Sequence, residues 1–214
     1  MPWPEDHKTR TRQKIVEAAA AAFRAGGVAA VRLEDVMARA GLTHGGFYAH
    51  FASKEDLLRE AVEHAGGQTV ETLSGPLRDI PADDRLRSMI DAYLSPAHAA
   101  HPEVGCPLAA LGSELARAGG PAHRALARGV GDRLAWMREL VPEHRRQTVS
   151  DDQLIGVLAC MVGGVILARA VERDANAVLR ACREFLHGAL NASGARSMRS
   201  RRTSRRARVR RPGR

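Results

Sequence analysis

Apolar residues recur along this chain with the period of a helix. Between Lys8 and Ala25, the positions Ile15, Ala19, Ala22 and Phe23 stand at i, i+4, i+7 and i+8, which builds one apolar stripe. Gly26-Gly27 ends that segment. Leu33, Val36, Met37 and Ala40 repeat the spacing over a shorter helix, and Gly41 follows where a left-handed C-terminal turn belongs. A second short helix opens behind Thr43, a good N-cap. Ser53 with Asp56 three residues on has the capping-box pattern, so a longer helix is predicted from Lys54 toward Leu73, weakened at its midpoint by Gly66-Gly67. Beyond Pro76 further helices are predicted near 82–99, 107–118, 121–140, 151–172 and 174–191. Pro81, Pro102, Pro107, Gly119-Gly120-Pro121 and Pro142 separate them. Alternating β-branched runs are scarce and no long repeat recurs. The pattern predicts an all-α protein of about nine helices.

Charge changes the picture less than its total suggests. The chain of 214 residues carries a formal charge of +9, but ten of its 33 Lys and Arg residues lie between Arg196 and Arg214, where there is no acid. That leaves 23 basic residues against 24 acidic ones, so the body is close to neutral and overall basicity is poor evidence of DNA binding. The tail, 193–214, is too polar to bury a core and reads as disordered. Cys106, Cys160 and Cys182 form no CxxC pair and are odd in number, consistent with reduced thiols in the cytoplasm. The first residues lack the apolar core of a secretory signal. From Leu154 to Ala168 no residue is charged; fifteen residues span about 22 Å, short of a hydrocarbon core of roughly 30 Å. A buried helix, not a membrane span, is expected.

The two short helices joined by Gly41-Leu42-Thr43 fit a helix-turn-helix, whose second helix enters a DNA major groove. With Ala40-Gly41-Leu42-Thr43, Phe47-Tyr48-Ala49-His50-Phe51 and Ser53-Lys54-Glu55-Asp56-Leu57 in succession, the stretch from about residue 9 to 60 closely resembles the TetR family. Phe47 and Phe51, four apart, can face a small core and leave His44, Gly45, Tyr48 and His50 toward DNA. Thr43 and Lys54, each at the start of a helix, suit phosphates, and Tyr48 can offer its hydroxyl to another. His44 is the candidate base reader; Gly45 and Gly46 allow close backbone approach without reading a base. Arg32 and Arg39 are candidate backbone contacts, although family members often carry Ser or Thr where this chain has Arg32. The division expected is a DNA-binding head over 8–52 and a helical ligand-binding and dimerisation domain over 53–192.

The resemblance further implies a homodimer on a near-palindromic, double-stranded operator, acting as a repressor that a small-molecule effector releases. Its last two helices form the dimer interface in this family. Here Gly156, Cys160, Gly164 and Ala168 make a narrow face of small residues, and Leu179, Cys182, Phe185 and Leu186 a facing stripe; packing within the chain accounts for part of both. Met89, Tyr93, Leu108, Leu111, Trp136, Met137 and Met161 are the large or adaptable side chains from which an effector pocket is usually built. Pro107 suits a first helical position, which puts Cys106 at the N-cap, where a helix start favours thiolate chemistry. Cys106 is thus a pocket candidate and, alternatively, an electrophile or redox sensor. A nonspecific nucleic-acid binder driven by the basic tail is the other alternative. His98 and His101 make a poor metal pair ahead of Pro102, and no catalytic set, metal site or cofactor is expected.

Overall fold

The computed structural model describes residues 5–171 and 173–191; the Arg-rich tail lies outside them. Among the described residues there are nine α-helices, three short 3-10 turns and no strand. They are α1 (Glu5–Gly26), α2 (Leu33–Arg39), α3 (Lys54–Leu77), α4 (Arg85–Tyr93), α5 (Pro96–Ala100), α6 (Pro107–Ala118), α7 (Gly120–Glu139), α8 (Asp151–Ala170) and α9 (175–191). The total matches expectation, but two changes cancel. His44–Ala49, expected as an α-helix, is a 3-10 segment, since Gly45-Gly46 gives it little helical propensity. The predicted helix 82–99 is broken in two at Leu94-Ser95-Pro96, where the Ser95 hydroxyl accepts from the His98 N–H and Pro96 opens α5.

Local chemistry sets the other ends. Gly41 has φ +73, and the N–H groups of Gly41 and Leu42 reach back to Ala38 O (3.0 Å) and Met37 O (2.9 Å), a Schellman turn that closes α2. Ser53 caps α3 through the Asp56 N–H at 3.1 Å. The helix then runs unbroken past Gly66-Gly67 to Leu77, with Pro76 in its last turn. Ser150 and Gln153 form a full capping box at the start of α8.

The core falls into two clusters. The first gathers Ile15, Phe23, Val36, Met37, Phe47 and Phe51 with the first half of α3 (Leu57, Leu58, Ala61, Val62, Ala65), and extends into Leu111 and Leu115 of α6 and Ala122, Ala125 and Leu126 of α7. The N-terminal head is therefore seated on α6 and α7 by continuous apolar packing. The second cluster joins α4, the ends of α3 and α7, α8 and α9, around Met89, Ile90, Tyr93, Met137, Met161 and Val165. Its α8, twenty residues long, is long and apolar enough to cross a membrane by length and composition; the fifteen-residue count from sequence understated it. Leu154, Val157, Leu158, Met161 and Val165 bury one face of α8 in this domain.

Candidate nucleic-acid interface

The reading head presents a small exposed surface on a rigid base. Phe47 and Phe51 are buried and stacked, with ring centroids 5.7 Å apart. Tyr48, between them in sequence, is 68% exposed, its ring edge-on to Phe47 at 5.1 Å. Thr43, His44, Gly45 and Tyr48 are all exposed, and Gly46 is half-buried. Thr43 sits at the N-cap position, but its hydroxyl makes no capping hydrogen bond; it is presented outward. His44 lies 3.6 Å from Glu34 and edge-on to Tyr48.

Two expected DNA contacts, Lys54 and Arg32, make contacts within the chain, and a third, His50, is half-buried. Lys54 donates its ammonium to Val28 O (2.8 Å) and Val31 O (2.6 Å), closing the loop between α1 and α2. Arg32 is the N-cap residue of α2 without a side-chain cap, and pairs with Asp35 at 3.2 Å on an exposed surface; the partnership raises the arginine and lowers the carboxyl from their ordinary values. His50 encloses its Nδ1 without a hydrogen-bond partner, and partial burial together with Lys8, Arg12 and His7 pulls its imidazole below the usual value. Arg39 is exposed at the end of α2, beside Lys14 of α1 across a shallow hollow.

Arg12, which no sequence motif singles out, is a principal brace. Its guanidinium lies 4.0 Å from the Phe51 ring centroid, donates to His50 O, and pairs with Glu60 of α3 at 2.5 Å. A single arginine thus ties α1 to the end of the reading segment and to α3. Glu114 of α6 does the same from the other domain: its carboxylate accepts from the N–H groups of Val28 and Ala29, each at 3.0 Å. Arg24, 4% exposed at the end of α1, donates to Gly105 O (2.8 Å) and Gln68 Oε1 (2.6 Å). These long-range pairings carry no local pattern, and only the fold brings them together.

Between α3, the start of α6 and α7 lies a cavity of about 560 Å³, within the range of ligand sites. Of the expected pocket residues, Leu108 and Trp136 line it. Met89, Tyr93, Leu111, Met137 and Met161 are instead buried core, because helices close around large apolar side chains and exclude the space. The remaining apolar wall comes from Val62, Val70 and Leu126, and room is left by Gly66, Gly67 and Gly129. Arg133 also lines the cavity, though only 4% exposed. It donates from Nη1 to Cys106 Sγ (2.9 Å) and from Nη2 to Gly66 O (3.1 Å), while its Nε–H has no partner.

Cys106 stands behind Arg133 at the N-cap of α6, fully buried, and does not line the cavity. Its N–H donates to His98 Nε2 (3.1 Å), so His98 carries its proton on Nδ1 and donates it to Tyr93 O (2.6 Å). Burial, with Arg169 and Arg133 nearby, pulls His98 below its ordinary value. Both nitrogens of His98 are thereby engaged, and among the described residues no group of three His, Cys, Asp or Glu side chains could hold a metal ion.

At the far end, α8 and α9 present an apolar face outward. Ile155, Ile166 and Leu167 are about half exposed, and Phe185 is 69% exposed. Of the expected dimer residues, Gly156 and Phe185 lie on this outer side. Gly164, Ala168, Leu179 and Leu186 do not: they are buried inside the chain, and a Cβ on Gly164 would meet Cys182 Sγ at 2.9 Å. The small-residue face lets α9 approach α8 within one subunit. Cys160 and Cys182 are half-buried there, and the Cys160 thiol is pushed up to about 11 by burial and by Cys182.

A helix-turn-helix head seated on a helical domain with an internal cavity defines a bacterial-type DNA-binding regulator. Family comparison agrees with the geometry. Residues 15–61 match the model of bacterial regulatory proteins of the tetR family, and residues 82–185 that of a tetracyclin repressor-like C-terminal domain. The chain belongs to the TetR family. It is similar to two HTH-type transcriptional regulators of Bacillus subtilis, YfiR (32% identical over 59 residues) and YerO (29% over 84 residues). These matches cover 28% and 38% of this chain and only 29% of either relative's length. The likeness to solved structures runs further. A TetR transcriptional regulator from Chloroflexus aurantiacus shares 25% identity and a TM-score of 0.74, with 87% of this chain and 96% of that one covered. A TetR-family regulator from Cytophaga hutchinsonii, at 18% identity, shares the fold with a TM-score of 0.71 over 85% of this chain and 96% of its own.

Proposed function

We propose that this protein is a homodimeric, sequence-specific DNA-binding repressor whose hold on a palindromic operator is released when a small molecule occupies the cavity between α3, α6 and α7. The observation that carries the reading is the head itself: Thr43, His44, Gly45 and Tyr48 exposed together on a segment held from beneath by buried Phe47 and Phe51. Such a surface suits backbone contacts from Thr43 and Tyr48 and a base contact from His44. The dimer would form through the outward face of α8 and α9, centred on Ile155, Ile166, Leu167 and Phe185. Ligand control is supported by α6, whose first turn (Pro107, Leu108) lines the cavity and whose Glu114 holds the loop before α2. A movement of α6 reaches the head through bonds already made.

Selection of bound sequences from random DNA by the purified full-length protein tests this. The expected outcome is an inverted repeat retained by a variant truncated after residue 195. Loss of sequence preference with the tail would favour nonspecific binding by the ten arginines, and no enrichment by the full chain would remove the reading altogether.

A further inference from the structure

We propose that the cavity binds an organic monoanion, with an apolar body against Leu108 and Trp136 and a single carboxylate or sulfonate against Arg133. The proposal rests on the reading of this cavity as the effector site and specifies the chemistry it selects.

A guanidinium taken out of water is costly unless its charge and its donors are met. Arg133 is 4% exposed, yet among the described residues no carboxylate pairs with it. A guanidinium has five N–H donors in a planar fork. Here one is given to the Cys106 sulfur and one to Gly66 O, both weak partners for a full charge, which leaves one N–H on each terminal nitrogen; the Nε–H has no partner either but is sealed inside the protein. The residue lines the cavity. An oxyanion is the group that matches the remaining donors in shape and sign.

The carboxylates at the mouth argue for one negative charge and no more. Glu63, Glu71 and Asp132 line the cavity with a single further cation, Arg128; all four are exposed, and Arg128 is already paired with Glu63 (2.8 Å), which also pairs with Arg59 (3.1 Å). Water screens them, whereas Arg133 acts at close range from a buried position. A second charge on the ligand would have to sit among those acids. The apolar walls and the open space beside Gly67 and Gly129, where an added Cβ meets nothing within 4 Å, accommodate the rest of the molecule.

Two fluorescent probes with one aromatic body separate the charge from the shape: 8-anilinonaphthalene-1-sulfonate and the neutral N-phenyl-1-naphthylamine, titrated into the full chain. The neutral dye is the more apolar, so anion recognition requires the sulfonate to bind wild type at least as tightly. Arg133→Met should lower the anion-to-neutral affinity ratio about ten- to a hundredfold, the range of one charge-assisted contact, with neutral binding kept, and Arg133→Lys should restore part of it. Gly129→Leu, which fills the cavity, should weaken both dyes. Weaker anion than neutral binding by wild type, or a ratio unmoved in Arg133→Met, overturns the anion while leaving the cavity reading intact. No dye binding by wild type, or both dyes indifferent to Gly129→Leu, removes the cavity reading and this proposal together. The wild-type comparison stands even if a variant fails to fold.

Discussion

Replacing Glu114 by Ala severs two hydrogen bonds between the helical domain and the DNA-binding head. Its carboxylate accepts from Val28 N and Ala29 N, each at 3.0 Å, in the loop that also receives Lys54 on its carbonyls. Ala29 is exposed, so water takes over its bond at little cost. Val28 is only half-buried but packs against the core, and an N–H stranded there costs about 1–3 kcal/mol. The sum is about 2 kcal/mol, which lowers Tm by about 4–8 °C in a chain of this size. Glu114→Gln keeps one acceptor oxygen and should lose about half as much. Thermal unfolding followed by far-ultraviolet circular dichroism reads both variants. A Glu114→Ala protein melting within about 1 °C of wild type would refute the coupling, since the stranded donor alone exceeds that shift.

Three further outcomes follow from the packing. Gly164→Val should destabilise the subunit by about 1–3 kcal/mol through overpacking against Cys182 and Leu94, without changing the dimer dissociation constant; a weakened dimer at unchanged Tm would return Gly164 to the interface. Phe185→Glu should leave each subunit folded but shift the protein toward monomer in analytical ultracentrifugation, and an unchanged sedimentation coefficient would exclude this face. His98 is held neutral in the folded chain, below its ordinary value of 6.5, so the unfolded chain binds more protons on acidification. Stability should therefore be full above that value and decline as pH falls below it, and His98→Gln should flatten that decline in a Tm-against-pH series.

The head was legible in sequence because its determinants are local. Gly41 supplies a left-handed residue, Ser53 a cap, and Phe47 and Phe51 a helical spacing, so each acts on neighbours within a few positions. The same reasoning missed the break at Ser95-Pro96, although a capping serine before a first-position proline is a legible signal there too. The Lys54 bonds to the loop before α2 were not foreseen for a different reason. A lysine at a helix start is equally suited to a phosphate and to two backbone carbonyls, and which it meets depends on a loop more than twenty residues upstream. Arg12 with Glu60, Glu114 with Val28, and Arg133 with Cys106 are pairings across 27 to 86 residues that no window contains.

Cavity and interface were misread in complementary ways, and one physical rule covers both. Large apolar residues were assigned to the pocket, but Met89, Tyr93, Met137 and Met161 are where helices close most completely. Space persists where side chains are missing, and the residues that mark it are Gly66 and Gly67 on α3 and Gly129 on α7, which line the same cavity. At α8 the error reverses: small residues were assigned to the surface between subunits, yet Gly164 lies against Cys182 and Leu94 because a glycine lets a neighbouring helix of the same chain come close. Whether glycine opens a gap or closes one depends on what faces it. A Cβ on Gly67 or Gly129 would meet nothing within 4 Å, and the gap stays open; a Cβ on Gly164 would meet Leu94 and Cys182, and it fills. Helical spacing identifies which face a residue lies on, while the facing helix decides whether that face is a void, a core or an exposed surface.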